Sequence, residues 1–295
     1  MSRDDLPGTI GVFGLGLIGT AITSRLMAAG LTVRGYDPDS DCMAHLGDRG
    51  GQPLAADQVW NADCVISAVF STDQLAKLID EAPRGNKTPL ISVSTCDPSM
   101  MPGITVDASK KGYDLIEAPI SGTSADLTNG DAILLIAGDP SIAESLGPVF
   151  EILSRAHFYV GAVGNGNRAK LAINLVLGLT RAAVAEGVVF AKAVGLDPAD
   201  FLELALQSAA ASKVMASKGP KMVARDFTPL GRVTQSAKDF GLIQDAADRA
   251  GQGLPMTQRY LDVLADSLAN GEGDLDNAAV LLAIERAPAK SGDEG

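Results

Sequence analysis

The chain reads as an α/β domain followed by an all-α domain, the two joined by a long helix. Three observations predict this. Short apolar runs alternate with helical patterns from Thr9 to Gly161. A stretch without proline then runs from Gly164 to Ala193. Beyond Gly195 only helical periodicity remains. The expected division is 1–163 and 164–295, with 164–194 as the linking helix. A chain of 295 residues is long for one core and right for two.

Composition narrows the class. Hydrophobic residues make up 46% and charged residues 20%, as in an ordinary globular protein. A net charge of −12 argues against a nucleic-acid partner or an anionic membrane surface, which call for clustered Lys and Arg. No basic and apolar leader opens the sequence, so a cytoplasmic protein is expected. The three cysteines, Cys42, Cys64 and Cys96, are odd in number and far apart. They suggest reduced thiols and show no metal-ligand spacing. His45 and His157 are the only histidines. No metal is therefore expected, and acid–base work near neutral pH falls to Lys, Asp, Glu or Tyr.

Residues 1–8 are polar and expected to be loose, as are Lys290 to Gly295. Thr9 to Phe13 (TIGVF) is a buried strand that runs into Gly14-Leu15-Gly16-Leu17-Ile18-Gly19. A helix from Ile18 to Ala29 follows, with Gly30 placed to end it. Leu31 to Tyr36 is a second strand, closed by Asp37-Pro38. Strand, GxGxxG, helix, strand and acid in this order form the dinucleotide-binding fingerprint of a Rossmann domain. The first glycine makes the tight turn, the second admits the pyrophosphate, and the third lets helix and strand pack closely. Asp37 lies where a carboxylate accepts the ribose hydroxyls. A phosphate there would meet a like charge, so NAD is expected rather than NADP.

The alternation continues. Strands are expected at Cys64–Phe70 and Leu90–Ser94, with a helix at Gln74–Asp80 between them. Val69 at the first strand's end, and Ser71, Thr72, Ser94 and Thr95, are candidates for the nicotinamide end of the cofactor. These hydroxyls serve equally well as helix caps. Tyr113–Ala118 is a strand followed by Pro119-Ile120-Ser121-Gly122-Thr123-Ser124. That loop suits a carboxylate nest or an ordinary turn. Asn129-Gly130-Asp131 turns the chain into the strand Ala132–Ala137. A helix over Pro140–Leu153 and a last strand, His157–Gly161, complete the domain.

At about 1.5 Å per residue, a helix of roughly 27 residues from Gly164 is a rod of about 40 Å. Apolar residues on nearly every face predict burial all round. Asn174, Arg181, Glu186 and Lys192 interrupt the run before it reaches the length of a membrane span. Lys170 and Asn174 are four residues apart and share a face, with Arg181 two turns further on the same stripe. Taken alone, the pair fits equally a Lys reaching out to water and an Asn bonded to a loop. Asp197-Pro198 opens the next helix. Breaks are expected at Gly219-Pro220 and Thr228-Pro229.

Four motifs in order, GLGLIG at 14–19, EAPISGT at 117–123, GNGNRAK at 164–170 with Asn174 beyond it, and KDF at 238–240, span nearly the whole chain. In these the sequence resembles the β-hydroxyacid dehydrogenase family, of which 3-hydroxyisobutyrate dehydrogenase is the best-known member. The resemblance implies a Rossmann domain, a long interdomain helix, an all-α domain, and a homodimer or homotetramer. It implies that Lys170 is the acid–base residue and that Asn174 and Ser121 assist it. Ser121, Gly122 and Thr123 would bind a small carboxylate-bearing substrate, and Thr95 and Lys238 would contact the cofactor. Asp239 would organise its helix. The sequence departs from the family pattern at Thr123 (usually Gly), Ile173 (often Asn), Phe70 (commonly Pro) and Gly231-Arg232 (often an aromatic). Arg232 reads as a surface ion pair in preference to a substrate contact.

Hydride transfer needs a bound nicotinamide, a substrate held against it, and a proton donor–acceptor at the reacting oxygen. Burial lowers a Lys pKa, which suits Lys170 to the last task. The expected activity is hydride exchange between NAD(P) and a small β-hydroxy acid. One alternative is a reductase of a small aldehyde acid of the tartronate semialdehyde, succinate semialdehyde or glyoxylate type. The other is a catalytically silent dinucleotide sensor or scaffold.

Overall fold

The computed structural model describes residues 6–288. The terminal segments expected to be loose therefore lie mostly outside the described residues. The chain divides into two compact units, one ending at Leu171 and the other beginning at Ala172. The division falls inside the long helix and not ahead of it at Val163.

The first unit is built on six parallel strands: β1 (Thr9–Phe13), β2 (Thr32–Tyr36), β3 (Gln52–Pro53), β4 (Cys64–Ser67), β5 (Thr88–Ser92) and β6 (Tyr113–Glu117). Their order in the sheet is β3-β2-β1-β4-β5-β6. The order reverses between β1 and β4, which makes a crevice at their carboxyl ends. Alternation along each strand feeds two cores. Ile10, Val12 and Ile66 enter one. Phe13, Val65 and Leu90 enter the other, where Trp60 packs against Phe13 and Tyr113.

Helices α1 (Leu17–Ala28), α2 (Ser40–Asp48), α3 (Ala56–Val59), α4 (Thr72–Asp80) and α5 (Met101–Lys111) connect these strands. A second sheet holds β7 (Ile120–Ser121), β8 (Ile133–Ile136) and β9 (Ala156–Tyr159). With it come α6 (Ser124–Asn129), α7 (Pro140–Ser145) and α8 (Gly147–Leu153). The single helix expected over Pro140–Leu153 is thus two, joined at Leu146. Pro148 explains the break, since it lacks an N–H and its ring crowds the carbonyl four residues back. Strand β4 stops at Ser67, short of the expected Phe70, which is exposed and donates its N–H to Gln74 Oε1.

The long helix, α9, runs from Asn165 to Ala193. The second unit adds α10 (Pro198–Gln207), α11 (Lys213–Ala224), α12 (Val233–Arg249), α13 (Pro255–Ala269) and α14 (Val280–Arg286). Asp197 caps α10 as expected, accepting from the N–H groups of Ala199 and Asp200. Two expectations fail here. Gly219-Pro220 does not break the chain but lies inside α11. There a Cβ on Gly219 would sit 2.5 Å from Leu202 Cδ1, so close packing of α10 on α11 holds the helix together through the proline. Nor is α9 buried all round. Val184, Ala185, Val188 and Ala191 are covered, whereas Val176 and Phe190 are 63% and 66% exposed.

A buried ion pair fastens this unit. Lys218 Nζ reaches both carboxylate oxygens of Asp276, at 2.8 and 3.0 Å. Asp276 also accepts from the N–H groups of Leu230 and Ala278. Burial acts to raise the Asp276 carboxyl, but Lys218 and the two N–H groups outweigh it and hold the pKa below its ordinary value. A depressed carboxylate contributes stability above its unfolded-state pKa and loses it as pH falls through the folded one. Lys218→Met should therefore cost about 3–5 kcal/mol at neutral pH by leaving an unpaired buried charge. Denaturant titrations at pH 7 and pH 3 check this, and the penalty should shrink at the lower pH.

Candidate active site

The glycine loop joins β1 to α1 with the geometry its spacing predicts. Gly14 has φ +85°, and a Cβ there would lie 2.6 Å from the Ala68 carbonyl oxygen. A Cβ on Gly19 would fall 1.8 Å from the Gly14 oxygen, so only glycine lets the helix start this close to the loop. Gly16 is different: a Cβ there would meet nothing within 4 Å. It is the N-cap of α1 and supplies no side-chain cap. The first N–H groups of α1 have no acceptor within the helix, and Gly16 ahead of them presents no side chain, so an anion is favoured at this helix start. This cradle fits a dinucleotide pyrophosphate.

Asp37 follows β2. Its Oδ2 accepts from the Leu15 N–H at 2.7 Å, and its Oδ1 from the Asp39 N–H at 2.9 Å. Each oxygen keeps a lone pair for a further donor such as a ribose hydroxyl. Asp39 in turn caps α2. At the ends of β4 and β5, Ser94 Oγ donates to the Val69 carbonyl at 2.7 Å. Thr95 is buried in the same turn. Ser71 caps α4, and Thr72 Oγ1 accepts from the Asp97 N–H, so both hydroxyls have structural duties.

In the loop after β6, Ser121 pairs with Ile133 across the small sheet, and Gly122 takes φ +149°. Thr123 is the N-cap of α6, in a reciprocal capping box with Asp126. Its hydroxyl is 2.7 Å from Asp126 Oδ2. The extra side chain at this position therefore serves the helix start, a role signalled by Thr-x-x-Asp in the sequence but overlooked there.

The carboxylate at the head of that loop was also overlooked. Glu117 is fully buried and accepts from the backbone N–H groups of Gly164 and Asn167 and from Asn167 Nδ2. Asn167 Oδ1 accepts from the Cys96 N–H at 2.7 Å. Burial pushes the Glu117 carboxyl up, against the pull of its three donors and Arg168. Glu117 thus holds the first turn of α9, and Lys170, 7% exposed, lies one turn on from Asn167. A buried acid just ahead of APISG, with Asn three residues before the Lys, was the available signal.

In the second unit, Asn174 Nδ2 donates to Asp239 Oδ2 at 2.8 Å. Gln235 Nε2 and Lys238 Nζ both lie 3.1 Å from Asp239 Oδ1. The structure thereby brings together three residues named from the sequence, Asn174, Lys238 and Asp239, and adds Gln235. Arg232 faces Asp274 at 3.7 Å, with both side chains more than half exposed, as expected of a surface pair. No group of His, Cys, Asp or Glu among the described residues has the arrangement of a metal site.

A parallel sheet with a glycine-loop cradle and an acid after its second strand defines an NAD(P)-dependent oxidoreductase scaffold. Comparison with known proteins agrees. Residues 9–161 match the NAD-binding domain of 6-phosphogluconate dehydrogenase, and residues 164–284 match the family model described as NAD-binding of NADP-dependent 3-hydroxyisobutyrate dehydrogenase. The chain belongs to the β-hydroxyacid dehydrogenase family. A probable 3-hydroxyisobutyrate dehydrogenase-like protein of Arabidopsis thaliana is 30% identical over 94% of this chain and 85% of its own. The 2-hydroxy-3-oxopropionate reductase of Escherichia coli is 28% identical over 94% and 97%. The structure of Mycobacterium tuberculosis 3-hydroxyisobutyrate dehydrogenase with L-serine is 26% identical, with a TM-score of 0.81 over 96% of this chain and 100% of that one.

The capping box carries a prediction. Thr123→Ala removes a hydroxyl acceptor from the first turn of α6 and should lower stability by about 0.5–2 kcal/mol. The unfolding midpoint in urea would show it, and an unchanged midpoint would contradict the capping role.

Proposed function

We propose that this enzyme interconverts a small β-hydroxy acid and its carbonyl partner using NAD, with Lys170 as the acid–base residue. The observation that carries the reading is the burial of Lys170 one turn beyond an Asn167–Glu117 clamp. A side chain on a fixed, buried helix turn is held in one place, as a proton donor–acceptor at a reacting oxygen must be. The bound nicotinamide supplies the hydride acceptor or donor. Gly14, Leu15, Gly16, Leu17, Ile18 and Gly19 would hold its pyrophosphate, Asp37 a ribose, and Val69 and Thr95 its reactive end. Lys238 is the further cofactor contact. Ser121 and Gly122 would hold the substrate carboxylate, and Asn174, oriented by Asp239, the reacting oxygen. Neutral Lys170 takes the alcohol proton on oxidation; its ammonium returns it on reduction.

The semialdehyde reductase reading runs the same chemistry in the opposite direction, and relatives of both kinds support it equally. A silent scaffold is disfavoured by the presence of Lys170 on its clamped turn. Placement in the cytoplasm and assembly into dimers or tetramers belong to the same proposal. The test is a panel of small hydroxy acids and aldehyde acids followed by NADH absorbance, with Lys170→Ala alongside the wild type. The variant should lose about 10²–10⁴-fold in turnover while binding NADH normally. Wild-type turnover in the variant would overturn the assignment.

Preference for NAD rests on Asp37, whose carboxylate would meet a 2′-phosphate with a like charge. Asp37→Ala combined with Pro38→Arg should shift the ratio of kcat/KM values from NAD towards NADP. Steady-state constants with both cofactors measure the shift. A wild type that already favours NADP would refute it.

A further inference from the structure

The helical unit buries a cation that forms no ion pair among the described residues. Arg181 of α9 is 9% exposed and donates to two neutral hydroxyls, Ser236 Oγ at 3.3 Å and Tyr260 Oη at 3.0 Å. Both are reached through Nη1. Its Nε is buried with no partner. Asn277 Nδ2 also points at Ser236 Oγ, at 3.3 Å, and its Oδ1 is buried without a partner. Among the described residues no carboxylate pairs with Arg181. Asp276, next to Asn277, is already taken by Lys218.

The balance of charge and hydrogen bonds is unequal. A guanidinium stays protonated at any physiological pH, so it cannot relieve its burial by neutralising. Lys218 and Asp276 pair with each other, and the buried carboxylates Asp239 and Glu272 are bonded to Lys238 and Arg286, so Arg181 has no ion-pair partner among the described residues. Arg181 also repels Lys218, adding to the burial that lowers the lysine's pKa. The unused edge of Arg181 is the one between Nε and Nη2, which carboxylates grip side-on with two parallel bonds. The hydroxyls of Ser236 and Tyr260 each have a proton to donate beside it. If the Asn277 amide turns over, Ser236 can bond its Oδ1, and the NH2 becomes another donor.

We propose that this cluster is a subsite for a carboxylate-sized oxyanion, with Arg181 as the ligating cation and Ser236, Tyr260 and Asn277 completing it. Gly231, which presents no side chain, borders the cluster: a Cβ there would lie 3.3 Å from Asn277 Nδ2. The subsite adjoins the Asn174–Asp239 pair, because Ser236 is one turn before Asp239 on α12, and Arg181 is about 10 Å along α9 from Asn174 on the same face. Long helical side chains lean towards the N-terminus, so the guanidinium shortens that gap. The oxyanion is either the far carboxylate of a substrate whose near end Asn174 holds, or a free anion. The first of these rests on the hydroxy-acid reading above; the second does not.

Two measurements separate the sources. The first compares kcat/KM for 2-(hydroxymethyl)glutarate and 3-hydroxyisobutyrate, which share a hydroxymethyl acid head and differ by a carboxyethyl group in place of methyl. The ratio should favour the dicarboxylate in the wild type and fall about tenfold or more in Arg181→Met, as when a charged partner is removed. The second follows thermal unfolding with added malonate. Saturable stabilisation of the wild type that is lost in Arg181→Met marks a free-anion site. Arg181→Lys, which keeps the charge but not the two-bond edge, serves if the Met variant does not fold; it should show the same losses in weaker form. A response in either measurement supports the subsite and names its source. No dependence on Arg181 in both overturns it. A wild type that oxidises neither acid counts against the hydroxy-acid reading, while the malonate measurement still decides the subsite.

Discussion

The contact on which the first unit's chemistry depends is the one between Glu117 and the start of α9. A strand end and a helix start meet there through one carboxylate, three N–H donors and no water-facing side. The carboxylate satisfies donors that every helix leaves open in its first turn, and it does so in a place where leaving them open would be costly. Asn167 extends the clamp to the turn after β5 by accepting from Cys96. The segments after β5 and β6 and the turn bearing Lys170 are thereby tied into one hydrogen-bonded unit. Side chains on that turn are thereby held in fixed positions, which any group acting on a bound molecule requires.

Much of this was legible in the sequence where backbone geometry dictates residue type. Gly14 and Gly19 are glycines because any Cβ would collide with a carbonyl, and this constraint shows in spacing alone. The same holds for Asp197-Pro198 at the start of α10. What escaped was decided by tertiary partners. Glu117 has its donors 47 and 50 residues away, and nothing local distinguishes it from a strand-end acid. Arg181 sits on the stripe of Lys170 and Asn174 as expected, yet its hydroxyl partners are 55 and 79 residues distant.

The errors were of another kind, in which a general rule met a local exception. Proline ends most helices, but Pro220 is carried through α11 because Leu202 packs against the adjacent glycine. Pro148, with no such support, divides α7 from α8. An all-round apolar sequence predicted all-round burial for α9, whereas Val176 and Phe190 stand exposed on the single chain. Thr123 is expected at the substrate, and its hydroxyl also bonds Asp126 at the start of α6.

The bond from the Leu15 N–H to Asp37 makes one carboxylate answer to two masters. It follows the second strand in the chain and belongs to the glycine loop by hydrogen bonding. The loop is therefore partly organised before any cofactor arrives, and less ordering entropy is lost when one binds. Any substitution of Asp37 also removes the acceptor of the Leu15 N–H, so a lineage that changed this residue would need a second substitution to restore the shape of the loop.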